Sequence, residues 1–313
     1  MGAEAGTTEE RDQGRAGIWF GVGAYLCWGF FPLYWPLLDP ASPLEVLAHR
    51  FVWSMVFVLL ALAVTGGWRR MAAIARDRRL MVILTAAACV ISINWGTFIY
   101  GVTSGHVVET SLGYFINPLV TVLLGVFVLK ETLRPVQWAA VAIGAIAVVV
   151  LTVDHGRLPW VALALAGSFA AYGFLKKKAD LGAFESLGME TAILTPVALA
   201  YLVVLQTTGE LTFGHHGLDN ALLLVGTGIV TAIPLLLFGA AATRLSLTTI
   251  GLLQYLGPFL QFVLGLTVFD ESMTPARWAG FVLVWSALVV FTVDGVLNRR
   301  RALRRTGETA PAA

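Results

Sequence analysis

Residues 111–154 read SLGYFINPLVTVLLGVFVLKETLRPVQWAAVAIGAIAVVVLTVD, and residues 251–294 read GLLQYLGPFLQFVLGLTVFDESMTPARWAGFVLVWSALVVFTVD. At this offset of 140 positions, 15 of 44 residues are identical. Apolar helices align by chance, so the valine and leucine matches count for little. Pro118 with Pro258, Gly125 with Gly265, Glu131 with Glu271, Pro135 with Pro275, Trp138 with Trp278 and Asp154 with Asp294 carry the repeat. The same offset pairs Glu45 with Glu185, Phe98 with Phe238 and Thr103 with Thr243, so the duplication extends upstream. The first apolar run aligns at a slightly different offset, Gly29-Phe30 on Gly173-Phe174.

The repeat unit is a set of membrane crossings. Of 313 residues, 58% are hydrophobic and 13% charged, and the mean hydropathy is +0.79. A soluble domain carries about 25% charge, and half of that leaves a water-facing surface uncovered. The charges cluster between apolar runs of the length a helix needs to cross a bilayer. The runs predict spans at 18–38, 44–65, 80–100, 110–129, 136–153, 158–175, 184–206, 220–241, 248–269 and 278–297. Helices are required because a lipid-exposed backbone must satisfy its own hydrogen bonds, and the alternation of a β-barrel is absent. The expected fold class is an all-α integral membrane protein of ten transmembrane helices.

Each copy holds five spans. An odd number sends the second copy into the membrane in the opposite sense, which makes the repeat inverted. The expected organisation is a disordered cytoplasmic stretch over 1–16, a first five-helix repeat over 17–153, a second over 158–297, and a disordered basic cytoplasmic tail over 298–313. In transporters, such inverted halves pack face to face around a site near the midplane.

Lysine and arginine set the orientation. With the amino terminus cytoplasmic, 18 of the 21 basic residues fall inside, Arg157 and Arg277 fall outside, and Arg50 lies within a span. This is a strong positive-inside bias. The basic runs read as anchors near lipid headgroups, and the net charge of +2 gives no argument for nucleic acid. The first apolar run is long enough to span and stay, with no cleavable signal visible. Cys27 and Cys89 lie in apolar stretches without metal-ligand spacing, and His106, His155, His215 and His216 fall in outside loops. No metal and no cofactor is expected.

Ionisable groups inside spans are costly and call for a role. Arg50 lies two turns into the second span, and its counterpart is Glu190 in the seventh. The pseudo-twofold is expected to bring them to one interface, where they pair structurally or flank a substrate. His49 adjoins Arg50 and shares a face with Glu45 and Trp53; it reads as a proton relay or as a hydrogen-bonded packing residue. Tyr114, Asn117, Thr121 and Gly125 stripe one face of the fourth span, and Gln254, Gly257, Gln261 and Gly265 repeat the stripe in the ninth. Pro118 and Pro258 each remove a backbone donor and are expected to kink their helices. Asn94, Trp95 and Tyr255 complete the candidate cavity lining, with Trp28 and Tyr172 as further aromatic walls. The alternatives are close packing at the small residues and ordinary aromatic packing. Glu131 and Glu271 are expected to cap the helices that start at Pro135 and Pro275.

The run Asn94-Trp95 with Phe98-Ile99, then Glu109 and Ser111-Leu112-Gly113-Tyr114-Phe115-Ile116-Asn117-Pro118-Leu119, resembles the RarD family. So do Ala241-Ala242-Thr243-Arg244-Leu245 and Gln254-Tyr255-Leu256-Gly257-Pro258, with Trp28-Gly29, His49-Arg50 and Trp53-Ser54. RarD proteins belong to the EamA branch of the drug/metabolite transporter superfamily, and the resemblance runs from about residue 17 to 297. It implies two EamA-type five-helix repeats, a bacterial cytoplasmic (inner) membrane location and solute transport. It assigns no residue roles.

The expected function is secondary transport of a small organic solute such as a metabolite, amino acid or drug, by alternating access, with protons as a candidate coupling ion. The chain lacks a Walker A loop for ATP. The competing readings are an intramembrane lipid-modifying transferase, for which HExxH, paired-aspartate and GxSxG motifs are missing, and a non-transporting sensor or assembly protein. One arginine and one glutamate in an apolar-walled cavity suit an amino acid, or equally an amphiphilic drug.

Overall fold

The structure is a computed structural model that describes residues 2–308 apart from Glu131 and Ser246. In chain order it consists of α1 (Gly2–Tyr34), a 3-10 turn (Trp35–Leu38), α2 (Pro43–Thr65), α3 (Trp68–Arg76), α4 (Arg78–Thr103), α5 (Val107–Leu129) and α6 (Pro135–His155). There follow α7 (Trp160–Ala179), α8 (Ala183–Thr208), α9 (Gly217–Ala242), α10 (Leu247–Leu253), α11 (Leu256–Thr267) and α12 (Pro275–Glu308). Among the described residues nine segments are long and apolar enough to cross a membrane, α10 and α11 together forming one of them. The predicted span at 158–175 corresponds to α7, 20 residues long, which is not among these nine and whose last turn carries Lys176, Lys177 and Lys178.

Local chemistry sets the helix ends. Ser42 Oγ accepts from Glu45 N (3.2 Å), and Pro43 starts α2 where its missing N–H has no consequence. Asp77 Oδ1 accepts from Leu80 N (3.0 Å) and starts α4. Gly66, Gly156 and Gly209 close α2, α6 and α8 in the left-handed conformation. Lys130 and Asp270, repeat equivalents, both adopt that conformation at φ 58° and 50°, so the two copies end their fourth span with the same turn.

At the two ends of the described residues, α1 begins at Gly2 and α12 continues to Glu308. Alanine, glutamate and arginine are good helix formers, and extending an existing helix avoids the unfavourable nucleation step.

Equivalent helices of the two copies run antiparallel. At one end of the α6–α12 pair, Thr274 Oγ1 donates to Asp154 Oδ2 (2.8 Å), and Arg277 lies 3.6 Å from the same carboxylate. At the other end Arg134 pairs with Asp294. Asp154 and Asp294 are repeat equivalents, as are Arg134 and Thr274, so one latch closes both ends. Thr191 against Met55 and Gly188 against Val58 give α2 and α8 the same antiparallel relation. α11 packs on α5 as well, with Gly265 against Val108.

The first helix of each copy packs in the other copy. α1 lies against α9 and α11, and its counterpart α7 lies against α4 and α5. Close approach depends on glycine where α5 meets α7 and where α9 meets α2. A Cβ on Gly113 would lie 2.8 Å from Ala162 O, and one on Gly228 2.6 Å from Trp53 O. The periphery is apolar, with Leu60, Val64, Phe127, Val149 and Val203 turned outward, as hydrocarbon requires.

Gly228→Ala should lower stability by about 1–3 kcal/mol through overpacking against a backbone that cannot yield. Gly251→Ala, whose Cβ would meet nothing within 4 Å, should leave it unchanged or raise it by up to about 1 kcal/mol. Unfolding of the purified variants in detergent checks both.

Candidate functional site

The first turns of α2 bury Glu45, Ala48, His49, Arg50 and Phe51. Arg50 is 3% exposed. Its Nε donates to Thr231 Oγ1 of α9 at 2.7 Å. Gly228, one turn from Thr231, allows α9 to come that close to α2. The guanidinium carbon lies 3.8 Å from the ring centroid of Trp95, 5.3 Å from Trp35 and 5.7 Å from Phe31. Phe51 stacks on Trp95 from the side (5.6 Å). Aromatic faces attract a desolvated cation by about 2 kcal/mol or more, which offsets part of the burial. Among the described residues no carboxylate comes within ion-pair distance of Arg50, and the bond to Thr231 is its one hydrogen bond. Sequence reasoning found Arg50 and Trp95 but missed Thr231, Trp35 and Phe31. A threonine and two aromatics in apolar runs carry no signal that distinguishes them from packing residues.

Arg50 and Glu190 do not pair. The contacts Met55–Thr191 and Val58–Gly188 set Trp53 opposite its own repeat image, Ile193. Arg50 and Glu190 then lie three residues to either side of that level, about 9 Å apart along the axis. An inverted twofold brings equivalent residues together only at its midplane. Glu190 has its own partners: Ser186 Oγ (2.8 Å), Tyr172 Oη (3.0 Å) and Lys176 Nζ (3.1 Å).

His49 also turns away from Arg50. Its Nδ1 accepts from Trp53 Nε1 (3.2 Å), its ring lies 4.9 Å from Phe213, and its Nε2 is 3.9 Å from Glu45. Glu45 in turn accepts from Thr212 N and Oγ1 (both 2.8 Å) and so holds the α8–α9 loop.

Of the polar stripe, Tyr114 reaches the Arg50 region, its hydroxyl donating to Asn94 Oδ1 at 3.2 Å. Asn94 donates to Leu165 O and Ser168 Oγ of α7, both at 3.0 Å. Asn117 donates to Ala166 O (3.1 Å). In the equivalent seam of the other copy, Gln261 donates to Trp28 O of α1 (3.1 Å). Asn94, Asn117 and Gln261 therefore tie helices together rather than line an open cavity. Gln254 and Tyr255 fall at the break between α10 and α11. The break follows from Pro258, which has no N–H for the carbonyl of Gln254 four residues back. Pro258 thus stands in the first turn of α11 instead of kinking a continuous helix, while α5 runs on through Pro118.

Glu271 does not cap α12. It accepts hydrogen bonds from the first two amides of α5, Val107 N and Val108 N (3.1 Å to Oε2). A carboxylate at a helix start satisfies orphan donors and the dipole together. Glu131 lies outside the described residues. Beside Glu271 a cavity of about 340 Å³ is lined by His106, Glu109, Asp270 and Arg277. Glu109 holds the start of α7 through Val161 N (3.0 Å) and pairs with Arg157 (3.2 Å). Burial, with Glu109 adding to it, pushes the Glu271 carboxyl up to about 7, against the lowering effect of the α5 amides and Arg277. A second crevice, about 310 Å³, opens at the other end of α7, between Phe57, Glu185, Leu187, Leu235 and Gly239.

Residues 15–153 match the model of the EamA-like transporter family. A protein RarD of Streptomyces exfoliatus is 51% identical over 297 residues, covering 95% of this chain and 94% of the relative. An uncharacterized transporter of Vibrio cholerae is 42% identical, with 95% and 98% covered. A protein RarD of Escherichia coli is 38% identical, with 92% and 98% covered. One solved structure, described only as a crystal structure of a protein, aligns with a TM-score of 0.57 at 19% identity, over 91% of this chain and 98% of that one; it bears on the fold alone.

Between the ordinary value of 4.5 and about 7, native Glu271 retains a proton that the unfolded chain has released. Its contribution to stability is therefore full below pH 4.5 and falls as pH rises through 7. Glu271→Gln should flatten that part of the melting-temperature profile of the purified protein.

Proposed function

We propose a secondary transporter that works by alternating access, on the premise that the chain belongs to the EamA-like transporter family, in its RarD group. It is a multi-pass membrane protein with small solutes as its cargo. The halves 17–153 and 158–297 act as the two moving parts, in the bacterial cytoplasmic membrane, with both termini on the cytoplasmic side. The distribution of 18 of 21 basic residues supports this orientation, and the antiparallel latches of α6 and α12 support the inverted halves.

The observation that carries the reading is Arg50. A buried guanidinium lacking a protein carboxylate is expensive within a membrane. It sits where α2 and α4 of one half meet α9 of the other. Two crevices, one beside Glu271 and one between Phe57, Glu185 and Leu235, are each lined by residues of both halves. Rocking one half against the other would widen one crevice while narrowing the other. Proton coupling, where present, has Glu271 as its best-placed group at the outer end.

Reconstituted protein should show saturable flux of a metabolite panel across proteoliposomes, and Arg50→Ala should reduce it at least tenfold with the melting temperature largely kept. Undiminished flux in a folded Arg50→Ala protein would remove Arg50 from the site. A carboxyl-terminal reporter found in the periplasm, with the Arg11 region in the cytosol, would refute the inverted halves.

A further inference from the structure

We propose that Arg50 is the receptor for the anionic group of the solute, which makes the substrate class a small organic monoanion: a carboxylate on a flat or apolar body. The inference rests on the transporter reading and narrows it. A guanidinium has five N–H donors in a planar fork. One, at Nε, is bonded to Thr231, and among the described residues the other four have no protein acceptor. The terminal nitrogens are not among the fully enclosed polar atoms, so this end of a side chain only 3% exposed overall keeps a small open face; donors left there without an acceptor are costly and mark a position that something else completes.

The surroundings select the partner. Every acid that could neutralise Arg50 has another commitment. Glu190 is held by Lys176, Tyr172 and Ser186, and Glu45 by Thr212 and Phe213. A planar carboxylate matches the guanidinium fork with two parallel bonds. Phe31, Trp35 and Trp95 offer faces to an apolar body beside it. Arg50 is the one fully buried cation among the described residues, so one negative charge balances the site and a dianionic phosphate would exceed it. A zwitterion fits poorly, because its ammonium would need a free acid, and Glu190 already holds Lys176. At 3% exposure Arg50 is closed off from bulk water in this conformation, so a solute reaches it only when the halves part. Neutralising the guanidinium also gives the loaded carrier a lower electrostatic barrier to rearrangement than the empty one.

The test uses purified full-length protein in detergent, followed by intrinsic tryptophan fluorescence and thermal shift. The probes are benzoate and hexanoate, each against its uncharged amide, with phenylalanine as the zwitterion. The expected result is at least tenfold tighter binding of each carboxylate than of its amide, with phenylalanine weaker than benzoate. Arg50→Gln should abolish the preference and Arg50→Lys should keep a reduced one. Equal binding of acid and amide, phenylalanine tighter than benzoate, no carboxylate-dependent signal at millimolar concentration, or an unchanged preference in Arg50→Gln would each overturn the proposal. If Arg50→Gln fails to fold, the wild-type comparison of acids, amides and zwitterion decides alone. Flux of neutral solutes without carboxylate preference would sink only this inference. Carboxylate-selective binding with no flux of any solute would sink the transporter reading and leave the anion site.

Discussion

A chain that crosses a hydrocarbon slab five times and then repeats itself must enter the second time from the opposite face. Three helices therefore pack on their own duplicates, α2 on α8, α5 on α11 and α6 on α12, and in the α6–α12 pair the end of one helix meets the opposite end of its image. That is why a single aspartate, copied as Asp154 and Asp294, closes both ends of the α6–α12 pair. The partners differ, a threonine at one end and an arginine at the other, because the copies have diverged while the geometry has not. The same constraint decides depth. Only residues at the crossing level can meet their images, and in the α2–α8 register that level is Trp53 with Ile193, while Arg50 and Glu190 are held apart.

Most intramembrane and boundary acids have mechanical employment. Glu45 fastens the α8–α9 loop, Glu109 the start of α7, Glu271 the start of α5, and Glu190 joins α7 to α8. Three of the four use backbone amides that would otherwise lack partners in a low-dielectric setting. Arg50 differs in kind. Its neighbours are aromatic faces and one hydroxyl, which soften the burial of a cation without discharging it. Burial alone does not separate the two kinds, since Glu45 and Glu190 are as buried as Arg50; the difference lies in their partners.

The sequence made the fold legible because periodic apolar runs and the copied Pro, Glu, Trp and Asp positions are long-range signals that survive without coordinates. It singled out Arg50, Trp95 and Tyr114 as separate candidates, and the structure places the three near one another. It could not assign Asn94, Asn117 and Gln261, whose polar faces point at something but do not say at what. Here that something is a carbonyl of a packed helix: Leu165, Ala166 or Trp28. Glu271 misled for a related reason. Proximity in sequence suggested Pro275, whereas its acceptors serve α5, 163 residues away. The difference between Pro118 and Pro258 was equally hidden, because two prolines in equivalent places predict equivalent helices and only the second span broke.

The exchange of first helices between the halves has a consequence for biogenesis. α1 leaves the ribosome long before α9 and α11, the surfaces it packs on, exist. Roughly 200 residues separate them, which at typical synthesis rates is about 10–40 s. Throughout that interval Tyr25, Trp28 and Phe31 face lipid or insertion machinery in place of their final neighbours, so the nascent amino-terminal segment is the part most dependent on a chaperoning environment.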